Sequence, residues 1–403
     1  MPFRVAISGM RAAQTDLNVI GNNIANVNTT GFKSSRAEFQ DVFAVSATGA
    51  SGNPGQGVNT ARISQQFTQG NITFTDNGLD LAISGQGFFI LDDNGARVYA
   101  RDGAFGIDRD GFVVNANGHT LNAFTADSTG NITGALARLQ ISTANTSPSA
   151  TTEIVLGANF DSQATLPLTT PFDPSDTASF NSTTATSVFD SLGGSHLAQI
   201  YFVKTAATNT WEAHTVVDGV VRSGPDTLIF NTSGALITPA GGTITVPAFT
   251  ASPGTDPINM TIDLSASTQF GAPFGVNQLT QDGYTTGRLA GLDIDSEGIV
   301  FARFTNGQST VQGQIALGNF ANPQGLQSLG DNNWAESFAA GNVLEGAPGT
   351  GSLGLVQSGA LEESNVDLSE QLVALIIAQR NFQANTEVIS AADTVTQAVI
   401  NIR

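Results

Sequence analysis

The sequence predicts a mainly β fold closed by paired terminal α-helices. The arrangement is multi-domain and nested, with a coiled-coil-like inner domain and β-rich middle and outer domains. Three observations predict it. Helical periodicity is confined to the two ends; two blocks of alternating apolar residues and Gly-containing turns flank the centre; and the centre is rich in Thr, Ser and Pro with almost no basic residues.

Residues 2 to 27 carry Phe3, Met10, Leu17 and Ile24 at every seventh position, with Ala6, Ala13, Ile20 and Val27 three behind each. That is an a/d seam suited to helix–helix packing. Val5, Ala12 and Val19 add a thinner second stripe. Gly9 and Gly21 each cost about 1 kcal/mol relative to Ala, so the helix needs a partner. Asn28-Thr29-Thr30-Gly31 ends it, with Asn28 or Gly31 suited to the left-handed C-terminal position. Residues 29–69 read as a connector. Phe32, Phe39, Val42 and Phe43 keep a remnant of apolar pattern there, and Ser46 to Gly57 is a Gly/Ser/Ala loop.

From residue 70 the period changes to two. Leu81-Ala82-Ile83, Phe88-Phe89-Ile90-Leu91 and Arg97-Val98-Tyr99 are strand candidates separated by turns such as Asn94-Gly95, Asp102-Gly103 and Asn117-Gly118. The same pattern returns at Leu292 to Ile294, Ile299 to Phe304 and Gln314 to Leu317, with turns at Glu297-Gly298 and Asn306-Gly307. Residues 70–145 and 285–360 therefore form one β-rich middle domain. Residues 146–284, with strand candidates at Leu197 to Val203, Trp211 to Val217 and Thr243 to Phe249, form an inserted outer one.

The last segment, 361–403, joins 1–28 in the inner domain. From Val366 it reads as one helix without Pro or Gly. Leu368, Leu372, Leu375, Ala378, Phe382, Ile389, Ala392 and Val399 make one apolar stripe. Val373, Ile377, Ala384, Val388, Ala391, Val395, Ala398 and Ile402 make a second. A helix apolar on two sides is buried on two sides. The expected helix-pair seam is Phe3, Met10, Leu17 and Ile24 against Leu368, Leu372, Leu375, Phe382 and Ile389. Val373, Ile377, Val388 and Val395 are the expected contacts between subunits.

Composition excludes several functions. A formal net charge of −19 with Lys33 and Lys204 as the only lysines argues against nucleic acid and anionic membrane partners. Without cysteine there are no disulfides, thiolate metal sites or cysteine nucleophiles. No run reaches the roughly 18 apolar residues of a membrane span, and the first 25 residues lack the compact apolar stretch of a cleaved secretory signal.

The motifs for chemistry are equally thin. His119, His196 and His214 stand alone, without metal-ligand spacing. Asp293 to Gly298 opens like a calcium loop, but Phe304 holds the position of the closing acid. No Gly-x-Ser-x-Gly elbow or phosphate-cradling loop is present. A secreted β-rich glycan-binding or glycan-hydrolysing protein is the rival from another class. With 25 Phe against three Tyr and two Trp, the aromatic residues suit burial better than a sugar platform. No enzyme, cofactor or metal is expected.

Several stretches together resemble the rod-and-hook axial proteins of the bacterial flagellum, and their hook branch in particular. Asn22-Asn23-Ile24-Ala25-Asn26-Val27-Asn28-Thr29-Thr30-Gly31-Phe32-Lys33 is similar to the family's N-terminal signature. Leu79 to Phe89, Tyr99 to Phe105, and Gly313 to Leu317 with Phe320 to Gly325 resemble shared internal blocks. Ser364-Asn365-Val366-Asp367-Leu368 and Gln379 to Asn385 resemble the C-terminal signature. The likeness is weakest across 146–284, and the size of that insertion favours hook over distal rod, which is the alternative.

The resemblance implies a structural subunit that self-assembles into a curved, flexible tube, a universal joint passing torque from rod to filament. It implies as partners further copies of itself, the rod, the hook cap and the hook–filament junction proteins. It also implies passage through a flagellar type III export apparatus to an extracellular site, without a cleaved signal peptide.

Overall fold

In a computed structural model the chain is described over residues 2–42, 55–127 and 129–401. Most of the expected 46–57 loop, Phe43, Ile402 and the side chain of Val399 lie outside the described residues. The chain divides into two compact units. One comprises Met1–Thr143, Gly291–Arg303 and Ser309–Arg403; the other comprises Ala144–Ala290 and Phe304–Gln308.

The first unit carries both helices, α1 (Pro2–Ala25) and α2 (Leu368–Asn401). At about 1.5 Å per residue they are about 36 and 51 Å long. α2 starts two residues later than its apolar pattern suggests because Asp367 caps it. The Asp367 carboxylate accepts the Ser369 amide at 2.8 Å and the Glu370 amide at 3.2 Å. After α1, Gly31 takes the left-handed conformation (φ 68°) and lies against the backbone of Asp102, where a Cβ would collide.

The connector is more ordered than its composition suggests. β1 (Ser35–Asp41) and β2 (Val58–Gln65) form an antiparallel ribbon with a register shift at Glu38/Phe39, and the ribbon packs on α1. Polar side chains along one face of the ribbon hid the pattern.

Beyond it, β3 (Ile72–Phe74) pairs with Ala360–Glu362 and β4 (Leu81–Ser84) with Leu355–Ser358. β5 (Phe88–Asp93) and β6 (Ala96–Ala100) form a hairpin. Its Asn94-Gly95 turn has the two positive φ values (51° and 96°) that this two-residue turn demands. Thr120–Ala126 pairs with β5, Ser309–Ile315 pairs with Thr120–Ala126, and Asn333–Ala335 pairs with β6. Strands from before and after the insertion thus interleave in one antiparallel network. Its centre is an aromatic core: Phe67 meets Phe88 and Trp334 edge-on, each at 5.4 Å between ring centroids.

The second unit holds two five-stranded sheets around one apolar core. A meander runs through Ser182–Phe189, Ser195–Lys204, Thr210–Val217, Val220–Phe230 and Leu236–Thr238. In the other sheet Glu153–Asp161 pairs in parallel with Ile258–Asp263 and Thr268–Phe270, and antiparallel with Gly275–Gln281. Phe160, Phe202, Trp211 and Phe230 fill the space between them.

Candidate assembly interface

The helices pack antiparallel. Asn23 donates to the Gln371 side chain at 3.0 Å near one end, and Thr386 approaches the Met10 sulfur at 3.9 Å further along. Near that second point a Cβ added at Gly9 would meet the side-chain amide of Asn385, which would have to swing aside. Gly21 meets only open space.

Along α1 Ala6, Ala13 and Ile20 are buried, and Phe3, Met10, Leu17 and Ile24 flank them half-buried. Ala12 and Val19, on the thinner second stripe, are buried on the side that meets the ribbon. On α2, Ala378 is fully buried, and Leu375, Phe382 and Ile389 are half-buried with Gln371 and Ala374.

Leu368 and Leu372 do not join this set; they are 44 % and 45 % exposed. The expectation that they belong to the seam is corrected by the polar chemistry at that end. There Asn23 is held by Gln371 and by both backbone groups of Ser35, and this turns the leucine side of α2 away.

Val373, Ile377, Val388 and Val395 form a line on the outside of α2, exposed by 58, 53, 47 and 64 %. Ile376, at 49 %, lies beside this line, and Ile400, at 65 %, is exposed on another side of the helix. α1 is too short to cover the last turns of α2, and no other described element covers them.

At the base of the pair lies a buried ionic junction that sequence reasoning did not single out. Glu362 receives the Lys33 ammonium at 2.6 Å, the Arg101 guanidinium at 3.2 Å and the Gly70 amide at 2.8 Å. All three charged side chains are at most 4 % exposed. Lys33 also donates to the Thr68 carbonyl at 2.8 Å, and Arg101 to the Gly85 carbonyl at 3.0 Å. Burial pushes the Lys33 ammonium below its ordinary value, against the pull of Glu362, and lowers Arg101 likewise.

Beside it Asn365 donates to the Gln66 and Thr68 carbonyls at 2.7 and 3.1 Å and accepts the Ser34 amide at 2.7 Å. The Gly31 amide reaches the Glu362 carbonyl at 2.8 Å. The one available signal was that Lys33 and Arg101, in a chain so poor in cations, sit inside motifs shared with a family.

The histidines play structural parts. His196 lies between Asp218 (2.6 Å) and Asp190 (3.2 Å), and His214 stacks on Phe172 at 4.2 Å. Asp295 accepts the Glu297 and Ile299 amides in a tight turn. Among the described residues no group of His, Asp or Glu could hold a metal, and no helix is long and apolar enough to cross a membrane.

Four family models match the chain in order. The flagella basal body rod protein model covers residues 3–33, and the flagellar hook protein FlgE/F/G D1 domain covers 82–159. The flagellar basal body protein FlaE D2 domain covers 159–284, and the flagellar basal body rod FlgEFG protein C-terminal model covers 357–402. The flagellar hook protein FlgE of Escherichia coli (strain K12) is 40 % identical over the full length of both chains. So is that of Salmonella typhimurium (strain LT2), at 40 %. FlgE of Borreliella burgdorferi is 34 % identical over 98 % of each. Among solved structures, the Helicobacter pylori flagellar hook protein FlgE2 shares the fold. Its TM-score is 0.52 at 14 % identity, and the match covers 71 % of this chain and 99 % of that one.

Proposed function

We infer that this chain, which belongs to the bacterial flagellar hook protein family, is the structural subunit of a flagellar hook and polymerises with copies of itself. The observation that carries the assembly reading is the exposed line Val373, Ile377, Val388 and Val395 on α2. Covering the exposed half of such a side chain is worth about 1 kcal/mol. The line gives each copy a few kcal/mol toward a neighbour, and many weak contacts of this kind suit a polymer.

In the hook, residues 1–28 and 361–403 form the coiled-coil-like inner layer, with Phe3, Met10, Leu17, Ile24, Leu375, Phe382 and Ile389 holding the pair. Leu368 and Leu372 join Val373, Ile377, Val388 and Val395 in facing neighbouring subunits. Residues 29–69 link this layer to the middle domain, 70–145 with 285–360, and 146–284 faces outward. Contacts that repeat without closing generate a tube, and polar outer surfaces that slide let it bend as a universal joint. The rod, hook cap and hook–filament junction proteins are its further partners. Export through the flagellar type III apparatus goes with this family reading. The subunit has a mechanical role and no catalytic one.

Val388→Asp tests the assembly face. The variant should keep both β-rich units folded, by amide exchange, yet form no tubes in negative stain at concentrations where the parent does. Normal tubes from the folded variant would refute the assignment of this face.

A further inference from the structure

We propose that the groove between the base of the helix pair and the start of the ribbon receives the Arg380 side chain of a second copy of this chain. The inference rests on the self-assembly reading above and adds to it a specific contact.

The groove encloses about 410 Å³ and is walled by Asp16, Val19 and Ile20 of α1 and by Glu370, Gln371 and Ala374 of α2. Asp16 is half-buried and has no hydrogen bond or ion pair among the described residues. Burial raises its carboxyl above the ordinary range, as expected of an acid lacking a donor. The nearby cation, Arg36, is engaged at 3.2 Å by Glu38. The groove offers a largely polar lining in which three acids, Asp16, Asp367 and Glu370, stand against the single cation Arg36, and the half-buried Asp16 is left without a partner among the described residues.

Arg380 is the complementary piece. It is exposed, is the one cation of α2 among the described residues, and has no acceptor there. The positions three and four away are Ile376, Ile377, Gln383 and Ala384, so its own helix supplies no acid. Ile376 and Ile377 around it are about half exposed. Whatever covers them also takes the guanidinium out of water, and a desolvated guanidinium without a carboxylate is strongly unfavourable.

Arginine's long stem and planar fork suit a carboxylate inside a narrow groove. At 100° per residue Arg380 lies roughly 130° round α2 from the groove-lining positions, so it cannot fill its own groove. Knob and groove on different sides of one subunit give a head-to-tail contact that need not close, as a helical polymer requires.

The test uses the full chain and the amount of tube recovered by sedimentation, with amide exchange of the β-rich units as the folding control. R380E should raise the concentration needed for assembly about tenfold or more, and R380E combined with D16R should recover most of it. If R380E assembles as the parent does, or if D16R restores nothing, the groove assignment is overturned. Loss of tubes in V388D alongside either result leaves the assembly face standing, so the two readings fail separately.

Discussion

Glu362→Gln tests whether the ionic junction holds the ends of the chain together. The replacement keeps the shape and one acceptor oxygen but removes the negative charge, leaving Lys33 and Arg101 buried side by side. Lys33 loses its 2.6 Å partner and Arg101 its 3.2 Å partner, with side chains 0 % and 4 % exposed. Removing one member of a buried charge pair costs about 3–5 kcal/mol. At about 1.4 kcal/mol per decade, the local opening that frees these segments should become roughly a hundred- to several thousand-fold more frequent.

The assay is amide exchange at three reporters. The Gly31 amide donates to the Glu362 carbonyl, the Gly70 amide to its side chain, and the Ser34 amide to Asn365. All three should exchange faster, while amides in the core of the 144–290 unit should not change. Lys33→Met is the control, because it leaves Glu362 and Arg101 as a balanced pair and should cost clearly less. Exchange at the reporters within about threefold of the parent, or an equal loss from both variants, would refute the argument. In that case the junction would not be the clasp.

The two glycines of α1 should respond unequally. Gly21→Ala, in open space, should add up to about 1 kcal/mol of helix stability, whereas Gly9→Ala should gain less, because the Asn385 side chain must swing aside to make room. Exchange rates along α1 read both, and equal gains would show that Asn385 does not crowd Gly9. In the second unit, burial opposes the His196 charge, but its bonds to Asp218 and Asp190 win and raise it above 6.5. The folded state then holds a proton the unfolded state has released. Its contribution is complete below about pH 6.5 and fades as pH rises through the higher folded value. Asp190 and Asp218, both lowered, act only at much more acid pH, and His214, also lowered, acts below 6.5 with the opposite slope. His196→Asn should therefore flatten the loss of second-unit stability above pH 6.5, measured by denaturant midpoint, and an unchanged slope would exclude His196 as its source.

The ends of the fold were legible because period is a strong signal. The seven-residue spacing from Phe3 to Ile24 and the long Pro-free run after Val366 mark helices whatever their surroundings. Within the seam, however, periodicity gives the apolar side of a helix and not which apolar residue is innermost. Ala6, Ala13 and Ala378 are buried with Ile20 because closely approaching helices leave room for small side chains between the larger ones, and Leu368 and Leu372 stay outside because Asn23 and Gln371 occupy the turn opposite. Turn chemistry located the β5–β6 hairpin, as Asn94-Gly95 dictates its own geometry. The ribbon β1–β2 was missed because one of its faces is solvated and its strands alternate weakly. The ionic junction was illegible in principle: its three charges come from positions 33, 101 and 362, and only the folded chain brings them together.

That separation in sequence says what the junction can do and what it cannot. Lys33 and Glu362 are 329 positions apart. Closing a flexible loop of that length costs about 5 kcal/mol, from (3/2)RT ln n, before any constant is added. Desolvation of three buried charges offsets most of the attraction between them, so the junction cannot gather the ends of an unfolded chain by itself. The pairing of β4 with Leu355–Ser358 and of β3 with Ala360–Glu362 shortens the loop first, bringing Glu362 within a few residues of Gly70. The clasp and the helix pair beyond it therefore close last and open first. A subunit whose β-rich units are already folded can thus hold its ends open at modest cost. The surfaces it needs for joining a neighbour become available without unfolding the body, which suits a subunit that is completed at the end of a growing polymer.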